Sequence, residues 1–382
     1  MNYRKFDNLD FAFSALGFGC MRFPLVEGSD SQVDVNEAVK MLRYGIDGGI
    51  NYIDTAYIYH RGDSEAIVGK ALKDGYRQKV KITTKFPSFS AQEEGDFDKF
   101  LDEQLKRLDT DHIDFYLMHS LDRSLWENVI LKFDCLTKAE KAKKAGKIGH
   151  IGFSFHDELD AFYTIANGYD KWEICLIQLN YLNETYQQGL EGYKLLEEKG
   201  IPAVIMEPLL GGKLANLPDR ALDIFKKVNP NRSPVEWAFD YLWDKPGIAT
   251  AISGMSSLEQ VKQNLEYANR ASSGMLNDAE KAAINAVRDE MLKIKTVPCT
   301  ACNYCMPCPH GVDIPRNFEI YNSLATFEND FRSKVQYSAL KRDSYEKSAN
   351  NCIKCGVCEP LCPQRIKITD NLEVAKLTLD AN

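Results

Sequence analysis

The sequence lacks several features that would place it in a specialised class of protein. It has no run of about 18 consecutive apolar residues, so no membrane-spanning helix is expected. Its 47 Lys and Arg are outnumbered by 55 Asp and Glu, and a formal charge of −8 argues against a nucleic-acid-binding surface. No apolar stretch follows the charges of Met1–Asp7, so no secretory signal is predicted, and we expect a cytoplasmic location.

The chain also lacks a Gly-x-Gly-x-x-Gly turn after its first apolar run, which disfavours a Rossmann domain, the main structural rival. Short apolar runs instead alternate with longer amphipathic stretches, as expected for strands buried on both faces of a parallel sheet. Eight runs are predicted strands: Ala15–Phe18, Gly49–Ile53, Lys81–Thr84, Ile113–Met118, Ile148–Gly152, Ile174–Gln178, Pro202–Met206 and Ile248–Ile252. Eight strand–helix repeats predict an α/β fold, a (β/α)8 TIM barrel over residues 1–292.

Helical spacing of apolar residues separates these runs. Two clear sets are Ala38, Met41, Leu42, Gly45, Ile46 and Phe97, Leu101, Leu105, Leu108. Several such stretches end in a glycine shortly before the next strand, at Gly48, Gly146, Gly200 and Gly247. A positive φ angle is predicted at these glycines because helices commonly end in that conformation.

Cysteine is scarce in the first three quarters of the chain and crowded near its end. Three of the eleven cysteines, Cys20, Cys135 and Cys175, lie in or beside apolar runs and are predicted to be small buried hydrophobic residues. The other eight form two groups, Cys299-x2-Cys302-x2-Cys305-x2-Cys308-Pro309 and Cys352-x2-Cys355-x2-Cys358-x3-Cys362-Pro363. In a reducing compartment such groups indicate metal ligands rather than disulfides.

The second group has the spacing of the bacterial ferredoxin motif, in which the fourth cysteine ligates a different cluster from the first three. Structural zinc and a single cluster are the alternatives, but zinc prefers two ligand pairs separated by a dozen or more residues, and both groups end in Cys-Pro. We therefore predict two 4Fe–4S clusters. The ferredoxin crossover assigns Cys299, Cys302, Cys305 and Cys362 to one cluster, and Cys352, Cys355, Cys358 and Cys308 to the other. The first group is one residue shorter before its last cysteine, so this pairing depends on the rule alone.

The composition changes between Glu290 and Pro298, beyond which Cys, Pro and Asn become frequent. Residues 293–382 are therefore predicted to form a separate, small α-helical ferredoxin-like domain that holds both clusters. Helical patterns are expected at Pro315–Lys341 and Thr369–Leu379.

Four polar residues follow the predicted strands where a barrel enzyme places its catalytic groups. Asp54 ends the second strand, Lys85 the third and His119 the fourth, and Tyr59 comes five residues after Asp54. Singly, each has an ordinary structural explanation: a helix cap, a solvated charge, a buried histidine. Tyr57 is the alternative to Tyr59. Together the four are the groups that a carbonyl reductase needs.

The chain resembles the aldo-keto reductase family over residues 3 to about 290. The matching stretches are Leu16–Arg22, Gly49–Ala56, Ser64–Leu72, Leu105–His119 and Lys147–Ser154. The tail resembles the α-helical ferredoxin module of some prokaryotic members. The resemblance implies that Tyr59 gives a proton to the carbonyl oxygen while hydride reaches the carbon. It also implies that Lys85, paired with Asp54, lowers the phenol pKa from about 10, and that His119 orients the carbonyl.

The resemblance implies a nicotinamide site as well, and here the match is incomplete. The residues implied are Gly19, Met21, Arg22, Ser154, Gln178, Met206, Glu207, Pro208, Leu209, Gly254, Gln260, Gln263 and Asn264. Phe155 follows Ser154 where the family usually has Asn, and His156 is a candidate substitute. Met206 stands where an aromatic ring often stacks on the nicotinamide. Gly254 and Gln260 stand where Lys and Arg bind the NADP 2′-phosphate, so NAD(H) or indifferent use is expected.

These observations predict an oxidoreductase that reduces a small-molecule carbonyl, or oxidises an alcohol, with NAD(P)H, and whose clusters serve electron transfer or a partner. One alternative is a ferredoxin-dependent reductase whose clusters supply the barrel site, with a flavin as an option that no sequence feature specifies. Another is a non-catalytic redox sensor or electron-transfer subunit, which the intact set of four disfavours. A ferredoxin or another redox protein is the partner to consider.

Overall fold

The computed structural model describes residues 1–29, 31–294, 296–326, 331–342 and 347–381. Two compact units are present. The barrel unit consists of Met1–Leu209 and Val235–Asp278, and the second unit consists of Leu210–Pro234 and Ala279–Asn382. This division differs from a simple cut between residues 292 and 293, because Leu210–Pro234 and most of the helix before residue 293 group with the second unit. The predicted domain boundary therefore stays a prediction.

A closed, fully parallel barrel forms the core of the barrel unit, and its eight strands lie among the described residues. A hairpin of β1 (Tyr3–Lys5) and β2 (Ala12–Ser14) precedes it. The barrel strands are β3 (Leu16–Gly19), β4 (Tyr52–Asp54), β5 (Lys81–Phe86), β6 (Ile113–Leu121), β7 (Ile148–Phe155), β8 (Ile174–Gln178), β9 (Ala203–Met206) and β10 (Ile248–Ser253). Each contains residues of one predicted run, so the (β/α)8 prediction is confirmed.

The β1–β2 hairpin was not predicted, and it contributes to the barrel interior. Phe13 of β2 is fully buried, and its ring lies 5.6 Å from the rings of both Tyr52 and Phe115. Leu9, between the two strands, belongs to the same apolar cluster. The hairpin thus buries aromatic side chains against the inner faces of β4 and β6.

Helices follow most of the strands. In chain order they are α1 (Val35–Asp47), α2 (Ser64–Ala71), α3 (Asp96–Leu108), α4 (Arg123–Leu125), α5 (Cys135–Lys144), α6 (Leu159–Asn167), α7 (Gly189–Glu198), α8 (Asp219–Val228), α9 (Pro234–Trp243), α10 (Leu258–Ala268), α11 (Asp278–Leu292), α12 (Ile314–Thr326), α13 (Phe331–Arg342) and α14 (Ile368–Ala381). Asp34 caps α1 by accepting a hydrogen bond from the Glu37 N–H, and the five predicted apolar positions of α1 are all buried. Among the described helices, none is long and apolar enough to cross a membrane.

Two of the four glycine predictions are wrong. Gly146 and Gly200 have positive φ, but Gly48 has φ −76° and the positive angle falls on Gly49; Gly247 lacks it as well. A Cβ at Gly48 would lie 2.5 Å from the end of the Leu265 side chain, so a larger residue there would require Leu265 to move. The helix-end rule predicted a special backbone conformation at Gly48. The feature observed there is close packing of α1 against α10.

The second unit is helical, and its core is small. Val312, Ile314, Phe318, Ile368 and Leu372 form the centre of one apolar cluster, against which several of the crowded cysteines pack. The predicted helix at Pro315–Lys341 corresponds to α12 and α13, with residues 327–330 outside the described residues. The predicted closing helix corresponds to α14.

Candidate active site and cysteine loops

The carboxyl ends of the barrel strands bring the four predicted catalytic side chains together. Asp54 is the last residue of β4, Lys85 lies near the end of β5, and His119 lies near the end of β6. Tyr59 begins a short 3-10 turn in the loop after β4. Because parallel strands end at the same edge of the barrel, these positions share one rim.

Lys85 is the centre of this group. Its side chain is fully buried, and its ammonium donates to Asp54 Oδ1 at 2.8 Å and to the Thr55 carbonyl at 2.7 Å. The Tyr59 hydroxyl lies 3.5 Å from the same nitrogen, which is long for a hydrogen bond. Burial raises the pKa of Asp54, and the Lys85 charge opposes that rise. A buried ammonium and carboxylate therefore stand directly behind a half-buried phenol.

His119 lies next to Tyr59. The two rings are 6.2 Å apart and edge-on, and the exposed ring of Phe89 lies 5.3 Å from the imidazole. Burial holds the pKa of His119 well below 6.5, and the charges of Lys85 and His156 lower it further. Its Nδ1 atom has no hydrogen-bond partner among the described residues. His119 is thus a neutral imidazole at the rim, able to hydrogen-bond a polar ligand.

A buried polar network next to Lys85 was not predicted. Gln104 of α3 donates to the Lys85 carbonyl at 3.0 Å and to Glu65 Oε1 at 2.7 Å, and Thr84 donates to the same carboxylate oxygen at 2.6 Å. Tyr116 donates to the Gln104 side chain at 2.7 Å. These bonds fix the β5 backbone that presents the ammonium. The only feature of the sequence that pointed to this network was Gln104, which shares the buried face of α3 with apolar residues.

The residues implied at the nicotinamide lie at the ends of the remaining strands. Gln178 ends β8 and is fully buried, and neither atom of its amide has a hydrogen-bond partner in the described part of the chain. Ser154 Oγ accepts from the Ser120 N–H at 2.7 Å, which leaves its O–H able to donate. Phe155 is buried in β7 and offers no amide. His156 is bonded to Gln187, 3.3 Å between Nδ1 and Nε2.

The chain after β9 has an unusual conformation. Met206 ends the strand and Glu207 has φ +56°, a left-handed angle that is uncommon outside glycine. The buried amide of Asn180 holds it, because Nδ2 donates to the Glu207 carbonyl at 3.2 Å. Its Oδ1 accepts the backbone N–H groups of residues 182 and 183, each at 3.1 Å. Pro208 is buried, while Met206 and Leu209 are partly exposed. Asn180 was not predicted.

The other implied cofactor residues lie after β3 and β10. Gly19 ends β3, and a Cβ there would lie 2.6 Å from the Ile252 side chain. The Arg22 side chain lies over Gly254, 3.2 Å from where a Cβ would be; Met21 beside it is partly exposed. Three amides occupy α10, where Gln260 accepts from the Ser256 N–H, Gln263 donates to Glu259 and Asn264 donates to Ser253. Gly254, Gln260 and Asn264 thus present no cation of their own.

The late cysteines fall into two groups in space. One cavity in the second unit is lined by Cys299, Cys302, Cys305 and Cys362, with apolar walls that include Ile314, Phe318 and Ile366. Burial raises the pKa of the Cys305 thiol, and Cys302, Cys299 and Cys362 raise it further as neighbouring charges. Burial likewise raises the pKa of Cys358, to about 11, and Cys352 and Cys308 are among its charged neighbours. Cys355 is exposed.

The two cysteine loops repeat one backbone pattern. In the first, Ala301 and Asn303 have φ +54° and +66°; in the second, Lys354 and Gly356 have φ +59° and +74°. These residues stand two and four positions after the first cysteine of each loop. Three of them are not glycine, and such angles persist only where the surroundings impose them. Alternating conformations of this kind turn successive N–H groups inward, as in anion and iron–sulfur sites.

Cys20, Cys135 and Cys175 are almost completely buried, which confirms that prediction. Burial raises the pKa of all three thiols, and at Cys20 the nearby Asp54 carboxylate raises it further. None of the three is therefore a reactive thiolate at neutral pH.

Comparison with known proteins agrees with this geometry. Residues 15–288 match the model of the aldo/keto reductase family, and residues 298–366 match that of a 4Fe-4S dicluster domain. The chain belongs to the aldo/keto reductase family. This member of the family has a 4Fe–4S domain at its end, so it is an oxidoreductase with an iron–sulfur binding region.

Its relatives match the barrel part. The chain is 27% identical over 298 residues to the uncharacterized oxidoreductase YqkF of Bacillus subtilis, covering 70% of this chain and 92% of that protein. A solved structure, the holo form of aldo-keto reductase AKR11C1 from Bacillus halodurans, is 26% identical with a TM-score of 0.61, covering 75% of this chain and 96% of that one. An aldo/keto reductase from Klebsiella pneumoniae, solved with NADP and acetate, is 23% identical with a TM-score of 0.61 over 75% of this chain and 95% of that one.

Proposed function

We propose that this aldo/keto reductase interconverts a small-molecule carbonyl and its alcohol with a nicotinamide dinucleotide, and that its tail holds two 4Fe–4S clusters. The observation on which the catalytic part depends is the fully buried Lys85 ammonium, bonded to Asp54 and facing the Tyr59 hydroxyl. A desolvated cation beside a phenol favours the phenolate, and so lowers the energy of releasing its proton.

The roles follow from this arrangement. Tyr59 gives its proton to the carbonyl oxygen, and the Lys85 charge stabilises the phenolate that remains. Asp54 fixes the ammonium and balances its charge. The neutral His119 imidazole donates a hydrogen bond to the same oxygen and orients it. The dinucleotide, when bound, supplies the hydride that completes reduction to the alcohol.

The residues present fit a nicotinamide carboxamide. Gln178 has both a donor and an acceptor without partners in the described structure, and the Ser154 hydroxyl can donate. A buried, unpaired amide costs free energy unless a ligand satisfies it. Gly254 and Gln260 offer no cation for a 2′-phosphate. We therefore propose NADH, or equal use of NADH and NADPH.

The residues of the second unit fit two clusters. The cavity that joins Cys362 to the first three late cysteines supports the ferredoxin crossover, as does the neighbourhood of Cys308 around Cys358. The repeated backbone pattern argues that both loops hold the same kind of group.

A second function is supported by the surface of the second cysteine loop. Cys355 is exposed, and Ile353 and Val357 beside it are 64% and 56% exposed. A redox protein can therefore approach this loop directly. In that case a ferredoxin-type donor supplies electrons through the clusters, and a group able to pair single electrons, such as a flavin, has to intervene before a two-electron reduction.

Substitution of Tyr59 by Phe tests the catalytic proposal. Anaerobically purified protein is assayed with aldehydes and ketones, with NADH, NADPH and reduced ferredoxin as separate donors. Loss of the general acid is expected to lower kcat by about 100- to 10,000-fold with NADH or NADPH. Tyr57→Phe is the matched control, because the Tyr57 hydroxyl donates to Glu103 rather than to Lys85.

The outcomes separate the candidates. Turnover with ferredoxin alone supports the second function over the first. Activity of Tyr59→Phe equal to that of the wild type contradicts the proposed acid. The absence of turnover with any donor, in wild type and both variants, favours a sensor or electron-transfer role.

A further inference from the structure

The segment that follows β9 belongs to the second unit, not to the barrel unit. Leu210, Gly211 and Gly212 have three consecutive left-handed φ angles, +47°, +66° and +96°. From Leu210 to Pro234 the chain groups with Ala279–Asn382. Four residues earlier lies Met206, the first of the residues implied at the nicotinamide after β9. The covalent chain therefore joins the implied cofactor residues directly to an element of the second unit.

Gly211 lies against the loop of the first cysteine group. A Cβ at this position would lie 3.0 Å from the Thr300 carbonyl oxygen and 3.3 Å from its Cα. Thr300 stands between Cys299 and Cys302, is buried and lines the cavity that those cysteines share. Two peptide backbones approach closely here, so a side chain at Gly211 would push the Thr300 backbone away by a few tenths of an ångström, in addition to the strain of its positive φ.

Further contacts hold the same segment within the second unit. The Lys213 ammonium donates to the Val297 carbonyl at 3.1 Å, two residues before Cys299. Leu210 and Leu214 are buried. Beyond them, Arg220 pairs with Glu290 at 3.1 Å and Arg232 with Glu280 at 2.7 Å. The chain after β9 is thus attached at several points to the elements that surround the first cysteine loop.

We propose that residues 210–214 form a coupling segment through which the first cluster controls dinucleotide binding. The inference rests on the proposed clusters and the proposed nicotinamide site. A bound cluster fixes the Cys299–Cys305 loop, and the Thr300 backbone then fixes Gly211 and the chain back to Met206. Loss of that cluster loosens the segment, which changes the presentation of Met206–Leu209 and weakens dinucleotide affinity without altering the four catalytic side chains.

Two glycine variants test the contact. Gly211→Ala and Gly212→Ala both place a side chain at a positive φ, and the backbone strain is greater at Gly212, whose φ of +96° lies outside the left-handed α region, but nothing lies within 4 Å of a Cβ at Gly212. An effect of strain alone would therefore be at least as large in Gly212→Ala. Hydrogen exchange of residues 206–214 and the Kd for NADH and NADPH are measured on anaerobic holoprotein. Gly211→Ala is expected to speed exchange and weaken binding about fivefold or more, the lower range of coupling between sites. Gly212→Ala is expected to resemble the wild type.

A measurement on the wild type needs no variant. Coupling is reciprocal, so at equilibrium with an iron chelator, saturating NADH or NADPH raises the chelator concentration that removes half of the first cluster and leaves that for the second cluster unchanged. Cys302→Ser and Cys355→Ser identify the two clusters by their spectra, and only Cys302→Ser is expected to speed exchange at residues 206–214.

The possible results distinguish a failure of the coupling from a failure of the cluster proposal on which it rests. The coupling is wrong, and the proposed function stands, under the following results. The clusters are present and the dinucleotide binds, but the two glycine variants show the same hydrogen exchange, and the dinucleotide does not change removal of the first cluster by the chelator. If the wild type shows no iron–sulfur absorbance after reconstitution, the cluster proposal and the coupling are both wrong.

Discussion

A fully buried lysine is tolerated only when its charge is paired and its donors are satisfied. Lys85 meets both conditions through Asp54 and the Thr55 carbonyl. Removal of one partner of such a pair leaves an uncompensated buried charge, which is strongly destabilising. The four catalytic side chains, Asp54, Tyr59, Lys85 and His119, therefore form a structural unit as well as a catalytic one. Tyr59 is the member that can be changed with the least effect on folding.

His119 makes stability depend on pH. Its pKa is well below 6.5, first because of burial and then because of Lys85 and His156. The unfolded chain therefore binds a proton near pH 6.5 that the folded chain does not, so stability falls as pH drops below that value. The slope is at most about 1.4 kcal/mol per pH unit for one group. His119→Asn is expected to flatten this dependence in urea unfolding followed across the pH series.

The matched control is His112→Asn, which removes a less buried imidazole bonded to the Gly146 carbonyl. It separates the effect of losing the buried imidazole at position 119 from the general effect of removing a histidine. An unchanged slope in His119→Asn would show that folding does not lower the pKa of this imidazole.

Among the site residues, the sequence predicts those whose position is determined by the end of a strand. Asp54, Lys85 and His119 could be found because each follows an apolar run, and a barrel brings such positions to one rim. The Glu65–Gln104 support could not be found in this way, since its partners come from α2, α3, β5 and β6 and their spacing has no pattern. The same holds for Phe89 over His119, which depends on a loop conformation.

At the scale of elements, the apolar runs predict all eight barrel strands because strands of a closed parallel sheet are buried on both faces. The β1–β2 hairpin has strands of three residues each, too short for a periodic signal. Gly48 shows a second limit. Its spacing fits a helix end, but its φ is negative, and its close neighbour is the side chain of Leu265, more than 200 residues later.

The ends of β8 and β9 are connected by Asn180, and this connection can be tested. Asn180→Asp keeps the size of the side chain but removes the N–H that the Glu207 carbonyl accepts. A buried carbonyl without its donor costs about 1–3 kcal/mol, so Glu207 is expected to leave its left-handed conformation. The KM for the dinucleotide should rise about fivefold or more, while kcat changes little because the four catalytic side chains lie at the ends of other strands.

Asn183→Asp is the control for added charge in the same loop, since only the backbone of Asn183 contacts Asn180. Equal KM values for the two variants would mean that charge, not the lost bond to Glu207, is responsible. A fall in kcat with unchanged KM would place Asn180 in a different role.

For the whole molecule, the division into two units is where sequence inspection reaches its limit. The amino-acid sequence shows a change in composition near residue 293. It does not show the association of Leu210–Pro234 with the second unit, because that association depends on contacts such as Gly211 with Thr300, between residues 89 positions apart. Contacts of that kind have no local signature.

The second unit should depend on iron for its folding, whereas the barrel unit should not. Its principal apolar core is small and includes Cys358, with Cys299, Cys305, Cys308, Cys352 and Cys362 packed against it. Where metal ligands form part of an apolar core, metal binding commonly supplies folding free energy. Chelation of iron under reducing conditions is therefore expected to abolish hydrogen-exchange protection in α12 and α14. The strands β4 to β8, whose core contains no cluster cysteine, should keep theirs. Protein treated with reductant alone serves as the control, and loss of protection in both units to the same extent would show that the molecule folds as one cooperative whole.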